Sequence, residues 1–354
     1  MEPIVVLEQA VKREASDILL ITGAPVAYKQ NGQIIREEAE RLVPETSYEM
    51  VDGIYTLANR EISKLLDSGD DDFSFSIPRL SRFRVNAFKQ RGSLAAVIRV
   101  VSFDMPSYEQ LGIPDIVMSF ASITTGMVLV TGPAGSGKST TLACLINEIN
   151  RSRSNHIITI EDPIEFLHRH DKSMVTQREL SSDTSSYDAA LRAVLRQAPD
   201  VILLGEMRDY ETIRTAITAA ETGHLLISTL HTIGASNTID RIIDSFPPGQ
   251  HEQVRAQLSM VLQGVISQQL VPSKAGGVIP AFEVMRVNNA ISNLIRESKA
   301  HQIDSVIYSS AAEGMVSMDS YLYNMVRDGS ITEEAALSFT TNRDQMSKRL
   351  QAAR

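Results

Sequence analysis

At 354 residues, 43% of them apolar, the chain has enough material for two or three domains with substantial cores. Its formal charge of −9 excludes a general phosphate-backbone binder, which needs dense Lys and Arg, and its one cysteine excludes internal disulfides and thiolate zinc sites. No apolar run approaches the ~18 residues of a membrane span, and Met1-Glu2-Pro3 lacks the start of a signal segment, so the expected location is cytoplasmic, with peripheral docking on a membrane complex left open.

Residues 1–103 read as a small α+β domain. Ile4 to Arg13 has helical spacing, and Ser16-Asp17 opens a strand through Ile18–Ile21. Gly23-Ala24-Pro25 is a turn, Val26–Gln30 a second strand, and Asn31-Gly32 a hairpin signal before Gln33–Ile35. Thr46–Leu66 reads as one or two helices with Thr46 or Ser47 as N-cap. Three strand-like runs follow: Asp72–Ile77, Phe83–Phe88 and Leu94–Val101, separated by Pro78 and Gln90-Arg91-Gly92. They concentrate Arg82, Arg84, Arg91 and Arg99 in one meander.

A linker is expected over residues 104–115, marked by Pro106 and Leu111-Gly112-Ile113-Pro114. From residue 116 to 354, apolar strands alternate with helices, the pattern of a parallel α/β sheet. The predicted strands are Met127–Thr131, Ile157–Ile160, Val201–Leu204 and Leu225–Thr229. The intervening helices are Thr140–Asn150, Asp188–Gln197 and Tyr210–Thr222. Helices over Ala235–Ser245 and His251–Gln268, a strand near Val278–Met285, and a polar helical region from Asn288 complete the chain.

Between the first of those strands and its helix stands Gly132-Pro133-Ala134-Gly135-Ser136-Gly137-Lys138-Ser139-Thr140, a full phosphate-loop motif in the strand–loop–helix setting it requires. Its glycines let backbone N–H groups curl around an anion, and the helix aims further unsatisfied amides at the same point. Lys138 would reach the β- and γ-phosphates of a nucleoside triphosphate, and the Ser139 hydroxyl would hold Mg²⁺.

In an open parallel sheet, ligands bind beyond the carboxyl ends of the strands. Those ends carry Glu161-Asp162-Pro163-Ile164-Glu165, Gly205-Glu206-Met207-Arg208-Asp209 and Leu230-His231-Thr232. Mg·ATP hydrolysis needs that set: an acid on the metal's water shell, a group orienting the attacking water, and a γ-phosphate sensor. Asp200 precedes its strand and belongs at the opposite edge. His224 and His231 bracket one strand, roughly 20 Å apart at ~3.3 Å per residue, so one ion cannot bind both. His231 belongs near the nucleotide, while His224 suits a structural or interface role equally well. Arg84 and Arg99 could neutralise charge on a transferring phosphoryl group or simply salt-bridge a sheet face.

With these residues in hand, the chain resembles a known family. The phosphate loop, Thr159–Glu165, Arg196–Asp209 and Thr222–Thr232 match the Walker A, Asp, Walker B and His boxes of the secretion ATPase superfamily. The chain is most similar to type IV pilus retraction ATPases of the PilT kind, with Ser16-Asp17-Ile18, Gly23-Ala24-Pro25 and Ser81–Asn86 extending the likeness. The resemblance implies a PAS-like N-terminal domain, a RecA-like ATPase domain and a homohexameric ring. It implies that Glu206 and Glu165 are catalytic acids, with Glu161 the alternative base, and that Arg84, Arg99 and Arg91 reach a neighbour's nucleotide. Arg208 and His224 are sensor or interface residues in this reading. An inner-membrane pilus platform protein would be the partner. The absent four-cysteine zinc site and the short N-terminal region favour retraction over extension. Ala290, Ile291, Asn293, Leu294, Ile295, Arg296 and Glu297 match a retraction signature, with Ser292 departing from it. The acidic balance and sparse aromatics set aside a nucleic-acid motor; an accessory retraction paralogue stays open.

Overall fold

Two sheets organise the residues described by the computed structural model, which are 2–30, 32–101 and 106–352. Asn31 of the hairpin signal, residues 102–105 at the expected domain end and linker start, and residues 353–354 lie outside this set. The chain divides into two compact units, Met1–Met105 with Glu165–Leu167, and Pro106–Ile164 with His168–Arg354.

In the first unit, β1 (Asp17–Leu20), β2 (Ala27–Gln30), β3 (Gln33–Arg36), β4 (Asp70–Ile77), β5 (Ser81–Gln90) and β6 (Ser93–Val101) form one antiparallel sheet in the order β3-β2-β1-β6-β5-β4. The helices Pro3–Lys12 and Pro44–Leu57 cover one face: Leu7, Val51 and Ile54 join Ile18, Phe83, Val85 and Ile98 in its core. Alternation along β5 turns Phe83, Val85 and Ala87 inward and leaves Arg84 and Asn86 exposed.

The longer of the two helices begins earlier than its polar residues suggest. Pro44 takes the first helical position, where its missing N–H costs nothing, and Val43 is the N-cap. Thr46 instead accepts from the Val43 N–H (2.9 Å), and Ser47 donates inward to the Leu94 carbonyl.

Asp71 is the unit's buried ion. It accepts from Tyr55 (3.0 Å) and Arg60 (3.0 Å) and pairs with Lys64 (2.7 Å). Burial pushes its pKa up, but the Lys64, Arg60 and Tyr55 hydrogen bonds outweigh this and hold the carboxyl below its ordinary range. Its stabilising contribution is therefore complete above the unfolded carboxylate range and lost as pH falls through the depressed folded value. Asp71→Asn is expected to destabilise this unit by about 1.5–3 kcal/mol at neutral pH. The check is faster hydrogen exchange of β4 and β5 amides, and the difference should vanish in strong acid.

The second unit carries β7 (Gly126–Thr131), β8 (His156–Glu161), β9 (Met174–Glu179), β10 (Val201–Leu204), β11 (Leu225–Leu230), β12 (Leu262–Pro272) and β13 (Val278–Arg286). Their order is β13-β12-β7-β11-β10-β8-β9, parallel from β12 to β9, with β13 antiparallel at the edge. The strand carrying the phosphate loop thus lies one strand away from β10, with β11 between them.

The helix expected over His251–Gln268 ends at Val261, and the chain continues directly as β12. Val254, Leu258, Val261, Leu262 and Val265 keep helical spacing across the junction, because a strand buried on both faces shows no alternation. Gly264 has tertiary grounds to be glycine: a Cβ there would stand 2.2 Å from the Phe120 ring. Strand β9 escaped notice because Met174–Glu179 is a polar edge strand.

Beyond β13 come the helices Asn289–Arg296, Ile303–Ser309, Met318–Arg327, Glu333–Phe339 and Arg343–Gln351. Among the described residues no helix is long and apolar enough to cross a membrane.

Candidate active site

Strand β7 runs out at Thr131 into a loop whose backbone only glycine tolerates at three points: φ is +143° at Gly132, +75° at Gly135 and +86° at Gly137. The loop is pressed against β12, since a Cβ on Gly132 would lie 2.1 Å from the Gln268 carbonyl oxygen. Helix Lys138–Ser152 then starts without a side-chain cap, so its first amides are free to meet an anion. Lys138 is buried and donates to the carbonyls of Gly132 and Pro133 (2.9 Å each), which holds its ammonium over the loop. The Ser136 and Thr131 hydroxyls are buried without hydrogen-bond partners. Free amides, unpaired hydroxyls and a lysine around glycine-lined space fit a phosphate chain.

Glu206 stands just past β10 and is 8% exposed. One carboxylate oxygen pairs with Arg208 Nε and the other faces His231 Nε2 at 3.3 Å. The Met207 N–H bonds the Thr229 carbonyl (3.1 Å) and the Thr229 hydroxyl donates to the Gly205 carbonyl (2.7 Å), locking the ends of β10 and β11 together. The geometry therefore brings Glu206, Arg208 and His231 into one cluster.

Glu161 ends β8 and accepts from the Thr159 hydroxyl (2.6 Å) and Gln177 (3.2 Å). Glu165 lies on the loop beyond and is exposed. The buried Glu179 accepts from Ile164 N–H (2.9 Å), anchoring that loop on β9.

His224 and His231 sit at opposite ends of β11. The His224 Nδ1 lies 3.0 Å from the Ala219 carbonyl and 3.1 Å from the Thr222 hydroxyl, at the last turn of helix Tyr210–Glu221. That is a helix-terminating contact. Asp200 accepts the His156 N–H (2.7 Å) at the same far edge.

In the other sheet, Arg84 and Arg99 are directly opposite each other on β5 and β6, and both are exposed. Arg99 also pairs with Asp17 at 3.0 Å. Arg91 does not join them: it forms the hairpin tip with Gly92, at φ +49° and +81°. Cys144 is buried inside helix Lys138–Ser152, and burial foremost pushes its thiol up to about 11, so it stays protonated.

The signature residues form helix Asn289–Arg296, capped by Asn288, which accepts from Ile291 N–H (3.0 Å). Ile291 and Ile295 are core residues and Leu294 packs beside them, leaving Asn293, Arg296 and Glu297 outward. Two residues at the site were not anticipated. Gln268 accepts from the Thr141 hydroxyl (2.7 Å) beneath the loop, but it lay in a stretch assigned to helix. Tyr187 reaches the strand ends from the first turn of helix Tyr187–Val194, where an aromatic reads as ordinary core.

A phosphate loop on β7, with acids and a histidine on the neighbouring strand ends, defines a P-loop ATPase of the secretion type. Residues 4–343 match the family of type II/IV secretion system proteins, and the chain belongs to that family. It is 49% identical to a twitching motility protein of Neisseria gonorrhoeae over 86% of this chain and 82% of that one. It is 44% identical to the type IV pilus retractation ATPase PilT of Pseudomonas aeruginosa, covering 92% and 94%. A crystal structure of the pilus retraction motor PilT with bound ADP superposes with a TM-score of 0.89, at 44% identity, over 98% of this chain and 99% of that one.

Proposed function

We propose that this chain is the ATP-hydrolysing subunit of a homohexameric motor that drives type IV pilus retraction. The observation that carries the reading is Glu206, held between Arg208 and His231 one strand away from an intact phosphate loop. Gly132–Thr140 cradle the triphosphate, and Lys138 supplies the positive charge that the β,γ-bridge needs as it breaks. Ser139 and Glu206 would hold Mg²⁺, which neutralises charge developing on the phosphate oxygens. Glu165, exposed and free of the in-strand bonds that occupy Glu161, is the first choice for taking the proton of the attacking water. His231 reports the state of Glu206 to β11 and the helix after it.

Arg84 and Arg99 serve a neighbouring subunit's nucleotide in this reading. Arg99 has Asp17 beside it, and the exposed Arg84 directly opposite adds a second cation that suits an incoming anion. The hairpin geometry leaves Arg91 as an outer contact only. His224 and Arg208 complete the sensor and interface set. The outward Asn293, Arg296 and Glu297 face the motor's load, with Ile291, Leu294 and Ile295 as their support. The partner is a pilus platform protein of the inner membrane, which places the motor at that membrane's cytoplasmic face.

Deletion of the gene with imaging of labelled pili tests this. Pili should extend and remain extended, and the parent chain but not its Glu206→Gln variant should restore retraction. Loss of extension with normal retraction of existing pili would overturn the proposal.

A further inference from the structure

The ring of Tyr187 is buried beside β8 and β10, and the residue as a whole is 8% exposed. Its hydroxyl comes out between the ends of those strands. A Cβ on Gly205 would lie 2.9 Å from the hydroxyl oxygen, 3.2 Å from the Ile160 carbonyl and 3.4 Å from the Glu161 Cα. The phenol thus fills the space that glycine leaves immediately before Glu206, on the side facing Glu161. Among the described residues no hydrogen bond uses the hydroxyl. Burial, and after it the charges of Glu206 and Asp162, push its pKa above the ordinary value, so the group is a neutral phenol at working pH.

A hydroxyl at the strand ends that no protein group bonds, on a residue otherwise buried and beside carboxylates, is open to a partner brought from solvent or ligand. A molecule lying between the neutral phenol and a carboxylate can bond both. Water does so: it gives one hydrogen to a carboxylate and one to the phenolic oxygen. Held at both hydrogens, it presents a lone pair in a single direction.

We propose that Tyr187 is a positioning residue for the reaction, fixing, together with Glu206, a water beside the triphosphate, while the proton of the attacking water still goes to Glu165. The phenol transfers no proton; it removes rotational freedom from a water that Glu206 alone would hold by one hydrogen. The inference rests on Glu206 acting at the triphosphate.

Tyr187→Phe deletes one oxygen and keeps the buried ring. The test measures ATP turnover, and ATP and ADP affinity by fluorescence titration, for Tyr187→Phe, Glu206→Gln and the double variant in the full chain. Tyr187→Phe should keep the parent's melting temperature and nucleotide affinity while kcat falls about tenfold, the scale of one hydrogen bond to a constrained group. In the Glu206→Gln background the same change should cost nothing further, because the two groups hold one water. Parental kcat in Tyr187→Phe, or a tenfold loss that persists beside Glu206→Gln, overturns the role of Tyr187 and leaves Glu206 standing. Parental turnover in Glu206→Gln itself removes the acid on which both readings depend.

Discussion

Lys138→Ala is expected to abolish ATP hydrolysis while leaving the fold intact. The ammonium donates to the carbonyls of Gly132 and Pro133 in its own loop, so its removal acts on that loop and takes no apolar side chain from the core. Its catalytic share is far larger. Charge accumulates on the phosphate oxygens as the terminal phosphoryl departs, and a fixed cation in a water-poor loop stabilises it without reorganising. Removing one such group costs about 10²–10³ in kcat. Phosphate release by the purified variant, with circular dichroism as a fold control, checks this. A folded Lys138→Ala protein with near-parental turnover would withdraw the phosphate-loop assignment.

The second large effect belongs to Arg84 and Arg99, exposed at facing positions of β5 and β6. The double variant Arg84→Ala with Arg99→Ala should be nearly inactive, since an arginine supplied to a phosphoryl-transfer site is worth roughly 10³–10⁵ in turnover. Neither side chain supports the core, because the sheet's apolar residues point the other way. Melting should therefore move little, apart from loss of the pair between the exposed Arg99 and the buried Asp17, which keeps the hydrogen bond from the Ser16 hydroxyl. Mixing makes the arrangement testable. At an interface between the arginine variant and Lys138→Ala, one subunit brings an intact phosphate loop and the other intact arginines. Co-assembled rings should recover turnover above the sum of the two separate variants. Full activity of the double arginine variant by itself would be fatal to action across subunits.

The same chain shows how unevenly a sequence exposes its chemistry. Gly132–Thr140 is readable because a phosphate loop is a local object: contiguous residues, glycines at fixed intervals, a strand before and a helix after. The placement of Glu161, Glu206 and His231 at one sheet edge follows from it, since any parallel strand of known direction delivers its next residues to the same edge. Those steps need only spacing, direction and the period of apolar residues.

What could not be read that way depends on which strand lies beside which. Leu262–Pro272 repeats the helical spacing of His251–Val261 and becomes β12 only because β7 and β13 lie on either side to take its hydrogen bonds. With that pairing Gln268 arrives under the phosphate loop. Arg84 and Arg99 stand fifteen positions apart, and only the register of β5 on β6 opposes them while sending Arg91 to the hairpin tip. Glu206 meets His231 because β10 pairs with β11, and the Tyr187 hydroxyl comes to the ends of β8 and β10 because glycine at 205 leaves room for a phenol. Sequence by itself determined which candidate groups stand at the strand ends and the edge they occupy, because that depends on backbone periodicity within a few residues. Tertiary structure alone decided which of them touch, because strand order and register are settled by the burial of whole faces, a sum over contacts distant in the chain.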